Sequence, residues 1–162
     1  MPLRYGAAVS TWEDLPRNRS TTAEVALAGR SNVGKSTLLN VLLGLRRRPQ
    51  ARAPVSAKPG ETRELNFYAV GKASPLSVVD LPGYGFAFAK SERIDAWSEL
   101  TVAYLRHRNG LKGRSKGDGG DSDKAPLKRV LLLLDARHGL KVADKEFLAV
   151  VYDRQVAVGG GR

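Results

Sequence analysis

The stretch Gly29-Arg30-Ser31-Asn32-Val33-Gly34-Lys35-Ser36 decides how the rest of this sequence is interpreted. It fits the pattern G-x-x-x-x-G-K-[ST], which is typical of a loop that binds phosphate groups. Apolar residues 25–28 precede it and helix-competent residues 37–43 follow it, so the loop is predicted to join a buried strand to a helix. In that setting backbone N–H groups can surround a phosphate at the positive end of the helix. The alternative, a glycine-rich turn with an incidental Lys-Ser pair, does not account for the flanking pattern.

Two side chains of this loop have a predicted chemical role. Lys35 is predicted to reach the β- and γ-phosphates of a nucleotide, and the hydroxyl group of Ser36 is predicted to ligate Mg²⁺. The residues predicted to contact the nucleotide here are Gly29, Arg30, Ser31, Asn32, Val33, Gly34, Lys35, Ser36 and Thr37.

Composition limits the class of protein. The chain has 162 residues, of which 42% are hydrophobic, enough for one packed domain. It contains no cysteine, which excludes disulfides, thiolate catalysis and cysteine-based zinc sites, and two histidines are too few for a typical histidine-rich metal site. No apolar run approaches the roughly 18 residues of a membrane span, and no apolar signal segment follows Met1. We expect a cytoplasmic protein, or a mitochondrial or chloroplast protein if the chain is a eukaryotic organellar member.

The chain is strongly basic. Lys and Arg number 27 against 16 Asp and Glu, a net charge of +11, which favours a polyanionic partner, either nucleic acid or an anionic membrane surface. One cluster is Arg46, Arg47, Arg48 and Arg52, and a second is Arg106, Arg108, Lys112, Arg114 and Lys116. Neither cluster has regularly interleaved aromatic residues, so contact with a phosphate backbone is the predicted mode if RNA is bound. A basic surface that only aids solubility is the alternative.

Predicted strands and helices alternate beyond the loop. Strands are predicted over residues 65–70 and 76–79, and the continuous apolar run 130–134 predicts a strand buried on both faces. Helices are predicted to begin at Ser91 and to cover residues 142–152. The residues of the first of these helices that are predicted to pack in the core are Ile94, Trp97, Thr101, Tyr104 and Leu105. The pattern predicts an α/β fold with a mostly parallel sheet and helices on both faces.

A second constellation follows the predicted strand that ends at Asp80. In Asp80-Leu81-Pro82-Gly83 the carboxylate can hold Mg²⁺ through a water molecule, and the Gly83 N–H can contact a γ-phosphate. Upstream, Thr62 is predicted to ligate Mg²⁺ only when a γ-phosphate is present, which would make it a switch residue. Taken alone, both segments are common turn sequences. The further predicted nucleotide contacts are Gly60, Glu61, Thr62, Arg63, Glu64, Asp80, Leu81, Pro82 and Gly83, and the predicted metal ligands are Ser36, Thr62 and Asp80.

Together these motifs resemble the EngB (YihA) family of ribosome-assembly GTPases. The matching segments are the phosphate loop, Lys58-Pro59-Gly60-x-Thr62, Leu65-Asn66-Phe67-Tyr68, residues 80–87 and residues 133–139. The resemblance implies a Ras-like G domain of the P-loop NTPase fold, which binds GTP, GDP and Mg²⁺ and serves assembly of the large ribosomal subunit. Bacterial members of the family are also linked to cell division and septation. The implied partner is the large subunit or its RNA, with no membrane partner, and the implied oligomeric state is a monomer.

The resemblance also suggests domain boundaries. Residues 1–22 are expected to be an N-terminal extension, and residues 23–158 an incomplete G domain followed by a tail over 159–162. Within that domain, residues 110–126 are rich in Gly, Ser, Lys and Asp and are predicted to be a disordered loop.

Catalysis by such a domain depends on a few positions, predicted here to be Asn32, Lys35 and Thr62. Ras-type enzymes place a Gln directly after D-x-x-G to orient the attacking water, but this chain has Tyr84 there, so unassisted hydrolysis is expected to be slow. In similar GTPases an Asn at the position of Asn32 helps to hold K⁺ beside the phosphates, where a cation could offset charge that develops in the transition state. The alternative is that Asn32 only supports the turn of the loop.

One part of the family pattern is missing. Such GTPases recognise guanine with a [NT]-K-x-D motif after the next strand, and no such motif occurs in the 162 residues. The strand that should deliver it is only begun near the end of the chain. We therefore expect the final strand and helix to be absent and to leave apolar surface and a strand edge uncovered. A truncated chain is the favoured interpretation; the others are a degenerate, non-hydrolysing module that binds phosphate or RNA, and a different P-loop enzyme such as an ATPase or kinase.

Overall fold

The computed structural model describes residues 3–11, 13–15, 22–42, 44, 64–72, 75–84, 91–108 and 127–152, with residues 3–4 and 91–98 described by their backbone alone. The elements in chain order are β1 (Leu3–Val9), β2 (Ala23–Gly29), α1 (Lys35–Leu42), β3 (Leu65–Val70), β4 (Leu76–Asp80), α2 (Ser91–Arg108), β5 (Leu127–Leu133) and α3 (Val142–Tyr152). The predicted alternation is confirmed, whereas the predicted disordered loop over 110–126 lies outside the described residues.

The five strands form one mixed sheet in the order β1-β3-β4-β2-β5. Strand β2 is parallel to both of its neighbours, β4 and β5, and the antiparallel pairs β1–β3 and β3–β4 lie on one side. Because parallel strands end at the same edge of a sheet, β2 and β4 deliver the phosphate loop and Asp80 to one place. Their register sets Leu27 opposite Asp80.

Strand β1 is a feature that the sequence pattern did not predict. It pairs with β3 from Leu3 opposite Val70 to Val9 opposite Leu65, with an irregularity between Tyr5 and Ala7. The Tyr5 hydroxyl group donates to Asn66 Oδ1 at 3.2 Å, and the Tyr5 ring meets the Tyr68 ring edge to face at 5.6 Å. The N-terminal residues therefore cover the outer edge of β3.

Each face of the sheet buries its own apolar cluster. The cluster on the α1 side contains Leu27, Leu39, Tyr68 and Val70. The larger cluster, on the side of α2 and α3, includes Ala26, Phe67, Val79, Leu100, Tyr104, Leu105 and Phe147. The predicted buried face of α2 is confirmed for Thr101, Tyr104 and Leu105, while the side chains of Ile94 and Trp97 lie outside the described residues. No helix in the described part is long and apolar enough to cross a membrane.

A polar cluster lies inside the α2 side of this core. Glu24 on β2 is 3% exposed; its Oε2 accepts a hydrogen bond from the Tyr104 hydroxyl group at 3.1 Å and lies 3.4 Å from Arg108 Nε. Burial raises the pKa of Glu24, and the charge of Arg108 and the hydrogen bond from Tyr104 oppose that rise. Arg108 is itself 2% exposed, so its predicted membership of a surface cluster for RNA is wrong: its guanidinium group neutralises a buried carboxylate.

Strand β5 departs from its prediction. The apolar run 130–134 predicts burial on both faces, but Leu131 is 47% exposed and Leu134 is 42% exposed. Among the described residues β5 pairs only with β2 and forms the end of the sheet. In the described part of the chain, β5 therefore has one edge without a strand partner and exposes Leu131 and Leu134.

Candidate functional site

The phosphate loop leaves β2 at Gly29 and enters α1 at Lys35. Between them Asn32 has a φ of 63° and Gly34 a φ of 102°, so the backbone turns twice through the left-handed region. Asn tolerates that region better than most residues, and glycine enters it without steric cost. The exposed Asn32 thus has a local conformational role that supports its turn-forming interpretation. Its role toward K⁺ stays a prediction.

Lys35 is folded back over its own loop. The side chain is largely buried, with the residue 8% exposed, and Nζ donates to the Gly29 carbonyl oxygen at 3.3 Å. Burial lowers the pKa of Lys35, and the nearby Asp80 carboxylate opposes that change. The ammonium group is therefore held at the mouth of the loop by one weak hydrogen bond and one opposite charge.

Asp80 ends β4 beside the phosphate loop and is 5% exposed. Its Oδ1 atom is buried and has no hydrogen-bond partner among the described residues. Burial raises the pKa of Asp80 to about 6, although Lys35 lowers it. An unsatisfied carboxylate oxygen is costly in a protein interior, but it is suited to a water molecule bound to Mg²⁺.

The donor set fits Mg²⁺ better than a softer metal. The described residues hold no group of three or more His, Cys, Asp or Glu side chains that could bind a metal alone. Mg²⁺ is usually held by one or two protein ligands, several waters and substrate phosphates. Asp80 and the Ser36 hydroxyl group, one residue beyond Lys35, would supply that number of ligands. The third predicted ligand, Thr62, lies outside the described residues.

The Leu81–Tyr84 segment lies directly against the phosphate loop. The Ser31 Oγ donates to the Gly83 carbonyl oxygen at 3.2 Å, and the Ser31 N–H donates to the Tyr84 carbonyl oxygen at 2.9 Å. A Cβ atom on Gly83 would lie 2.9 Å from Ser31 Cα and 3.0 Å from Lys35 Nζ. Only glycine allows this approach, and the structure thereby brings together two motifs that are about fifty residues apart in sequence.

The other predicted contacts divide into three groups. Gly60, Glu61, Thr62 and Arg63 lie outside the described residues. Leu81 and Pro82 are buried. Glu64 accepts a hydrogen bond from Ser10 Oγ at 3.1 Å. These three side chains therefore already contact other parts of the protein. In the loop and the start of α1, Val33 and Ser36 are half-buried and Thr37 is exposed.

Asp144 lies at the site and was missed by the motif patterns. The Tyr84 hydroxyl group donates to Asp144 Oδ1 at 2.8 Å, and Arg30 Nε lies 3.7 Å from Asp144 Oδ2. The Asp144 side chain is fully buried near the start of α3. The one signal in the sequence is its place in the first turn of a helix, where Oδ2 accepts from the Lys141 N–H at 2.8 Å. That spacing is typical of a capping residue and says nothing of the phosphate loop.

Known proteins match this chain in sequence. Residues 24–158 match the profile of the MMR_HSR1 family, described as a 50S ribosome-binding GTPase. The probable GTP-binding protein EngB of Sinorhizobium fredii is 45% identical over 136 residues, which are 80% of this chain and 54% of that protein. The protein of the same name from Brucella melitensis is 43% identical over 132 residues, which are 77% of this chain and 46% of that protein. The chain thus spans about half the length of the curated relatives it matches.

A solved structure matches the fold. The crystal structure of a probable GTP-binding protein EngB superposes with a TM-score of 0.53 at 22% identity, over 82% of this chain and 65% of that chain. At this identity the likeness shows the fold alone. The expected P-loop GTPase fold and the resemblance to EngB proteins are both confirmed.

Proposed function

We propose that this chain, which belongs to the 50S ribosome-binding GTPase family, binds GTP and GDP at its phosphate loop and acts as a switch in assembly of the large ribosomal subunit. The observation that carries the proposal is the meeting of two chain segments, the phosphate loop and residues 80–83, around the mouth of the loop. These segments contribute the Lys35 ammonium group, the buried Asp80 oxygen and the backbone of Gly83. A cation, a carboxylate and a backbone N–H in one place suit a nucleotide phosphate with Mg²⁺.

Each group has a separate task in this proposal. Lys35 exchanges its contact with Gly29 for the β- and γ-phosphates, while the loop N–H groups surround the β-phosphate. Asp80 and Ser36 would hold Mg²⁺, which when bound neutralises part of the phosphate charge. Gly83 donates its N–H to the nucleotide only when a γ-phosphate is present, and Thr62 would join in the same state. That difference between GTP and GDP is what makes a switch.

Hydrolysis without a helper is expected to be slow. A Gln after D-x-x-G orients the attacking water in Ras-type enzymes. Here Tyr84 is turned away from the loop mouth, with its ring stacked on Phe147 at 5.0 Å and its hydroxyl group bonded to Asp144. The side chain therefore offers the water no hydrogen bond. Release of labelled phosphate from γ-labelled GTP distinguishes a slow GTPase from the alternative, a non-hydrolysing module that binds phosphate or RNA.

Base selectivity is expected to be poor in these 162 residues. Large discrimination between similar ligands needs buried polar groups that only the right ligand satisfies, and the [NT]-K-x-D carboxylate that reads guanine is not present. We expect less than about tenfold preference for GTP over ATP, which corresponds to about 1.4 kcal/mol. Competition titrations with GDP and ADP measure it. The control is a chimaera that appends the C-terminal part of an EngB relative, and tight guanine-selective binding by the chain alone would contradict the expectation.

Binding to ribosomal RNA is expected to depend on salt. The cluster proposed to bind phosphates consists of Arg46, Arg47, Arg48 and Arg52, all outside the described residues. For each phosphate that the protein no longer neutralises, the slope of log K against log salt should fall by about 0.7–0.9. The control is a variant that loses the same charge elsewhere. It replaces four exposed residues by alanine, namely Lys128, Arg129, Lys141 and Lys145. Equal salt slopes for wild type and the arginine variant would show that the cluster only aids solubility.

A further inference from the structure

The Asp144 carboxylate joins three segments that are distant in sequence. Its side chain is fully buried, and its two oxygens serve different partners. Oδ1 accepts the Tyr84 hydroxyl group at 2.8 Å, and Oδ2 accepts the Lys141 N–H at 2.8 Å and lies 3.7 Å from Arg30 Nε. One carboxylate thus ties the start of α3 to the phosphate loop and to the Leu81–Tyr84 segment.

Tyr84 is held at both its backbone and its side chain. Its N–H lies 3.4 Å from the Gly29 carbonyl oxygen, and its own carbonyl oxygen accepts from the Ser31 N–H. Its ring stacks on Phe147 of α3 with an interplanar angle of 11°. Burial, and then the hydrogen bond to Asp144, raise the pKa of Tyr84, so the hydroxyl group keeps its proton and stays a donor. Tyr84 is therefore clamped between the phosphate loop and α3.

The clamp acts beside Gly83, the backbone group that the proposed function assigns to the γ-phosphate. Gly83 precedes Tyr84, and the peptide plane that links them contains the Gly83 carbonyl oxygen, which accepts from Ser31 Oγ at 3.2 Å. Because Tyr84 fixes this plane, the Gly83 N–H, which lies in the preceding peptide plane, can turn only about the φ and ψ angles of Gly83. If the Tyr84 ring slid on Phe147 or its bond to Asp144 shifted, this plane would move and the direction of the Gly83 N–H would change with it. Arg30 of the phosphate loop, whose side chain is one quarter exposed, forms an isolated β-bridge with Tyr84 and places its Nε 3.7 Å from the same carboxylate.

We propose that Asp144 is a positioning residue of the nucleotide site, which sets Gly83 for the γ-phosphate by holding Tyr84, and which thereby couples the start of α3 to the bound nucleotide. The inference rests on the proposed function and adds to it a residue outside every nucleotide motif. Asp144 touches no nucleotide in this scheme. It acts on Gly83 through Tyr84, and on the phosphate loop through Arg30.

Two variants test the proposal. Tyr84→Phe removes the hydroxyl group and keeps the ring on Phe147, and Asp144→Asn keeps the shape and removes the charge. Each should weaken binding of Mg²⁺ and GTPγS by about three- to tenfold, the usual effect of one hydrogen bond, while GDP affinity changes by less than about twofold. The double variant should lose less than the sum of the two single losses, because both changes act on the same hydrogen bond. Glu146→Gln, on the exposed side of α3, is the charge-matched control and should leave both affinities unchanged.

The ratio of the GTPγS affinity to the GDP affinity distinguishes a positioning role of Asp144 from a general loss of protein stability. Equal losses for GTPγS and GDP, or no loss in Tyr84→Phe, would overturn the inference and leave the proposed function intact. Failure of the unaltered chain to bind either nucleotide would overturn the proposed function, and this inference with it. If Asp144→Asn does not fold, Tyr84→Phe alone decides, because it retains the ring stack and the buried carboxylate.

Discussion

Replacing Arg108 with alanine is expected to lower the free energy of unfolding by about 3–5 kcal/mol, the usual cost of breaking a buried ion pair from one side. Arg108 and Glu24 are both almost fully buried, and the guanidinium group is the larger of the two influences that keep the Glu24 carboxyl ionised. Without it, the Tyr104 hydroxyl group is the remaining donor to that carboxylate among the described side chains. The destabilised carboxylate of Glu24 lies on β2, the strand that leads into the phosphate loop. Nucleotide affinity should therefore fall as well.

Urea unfolding of wild type and Arg108→Ala measures this effect. Arg137→Ala is the matched control, because Arg137 also pairs with a carboxylate, that of Asp135, but its side chain is 82% exposed. Exposed ion pairs contribute little to stability, so the control should lose much less than Arg108→Ala. The double variant Glu24→Gln with Arg108→Ala should lose less than Arg108→Ala alone, since no uncompensated charge remains. Equal losses in Arg108→Ala and Arg137→Ala would show that the buried pair has no special role.

The Arg108→Ala deficit should also depend on pH. Removing the guanidinium group lets burial raise the pKa of Glu24 further above its ordinary value. The folded variant then binds a proton more readily than the unfolded chain, so its stability relative to wild type recovers as pH falls through that pKa. The deficit should therefore be smaller at about pH 5 than at about pH 7.5.

Much of the site could be predicted because its motifs depend on local backbone. The glycines and the apolar flanks fix the strand–loop–helix unit, which runs from β2 to α1. Asp80 follows an apolar strand, and parallel strands end at the same edge, so its place beside Lys35 follows from the fold class. Both predictions use only spacing along the chain and the geometry of parallel strands.

The remaining features depend on contacts between distant segments. Nothing near Arg108 in sequence shows that Glu24, 84 positions earlier, is its partner, so the local pattern indicates a surface charge where the structure has a buried one. The direction of the Tyr84 side chain depends on Phe147 and Asp144, which lie more than fifty residues downstream. An apolar run such as that of β5 shows that burial would be favourable. It does not show whether another strand or helix packs on the run and buries it.

Replacing Lys35 with alanine should weaken nucleotide binding at least about tenfold, because a charge-assisted contact contributes roughly 1.5–3 kcal/mol. In the described part of the chain, the ammonium group is held by a 3.3 Å hydrogen bond to Gly29 and by the charge of Asp80. Little in the free protein therefore depends on it, apart from the Asp80 carboxylate, whose pKa should rise further. The loss should appear in binding more than in folding.

The most direct test of nucleotide binding at the phosphate loop is a calorimetric titration of Mg²⁺ and GTPγS, and of GDP, into wild type, Lys35→Ala and Lys145→Ala. Lys145 is an exposed lysine on α3, so its variant makes the same change in charge away from the loop. We expect saturable binding by wild type and by Lys145→Ala, with both nucleotides bound at least about tenfold more weakly by Lys35→Ala. Equal affinities in wild type and Lys35→Ala would show that the phosphates bind elsewhere, and no binding of either nucleotide to wild type would contradict the proposed function altogether.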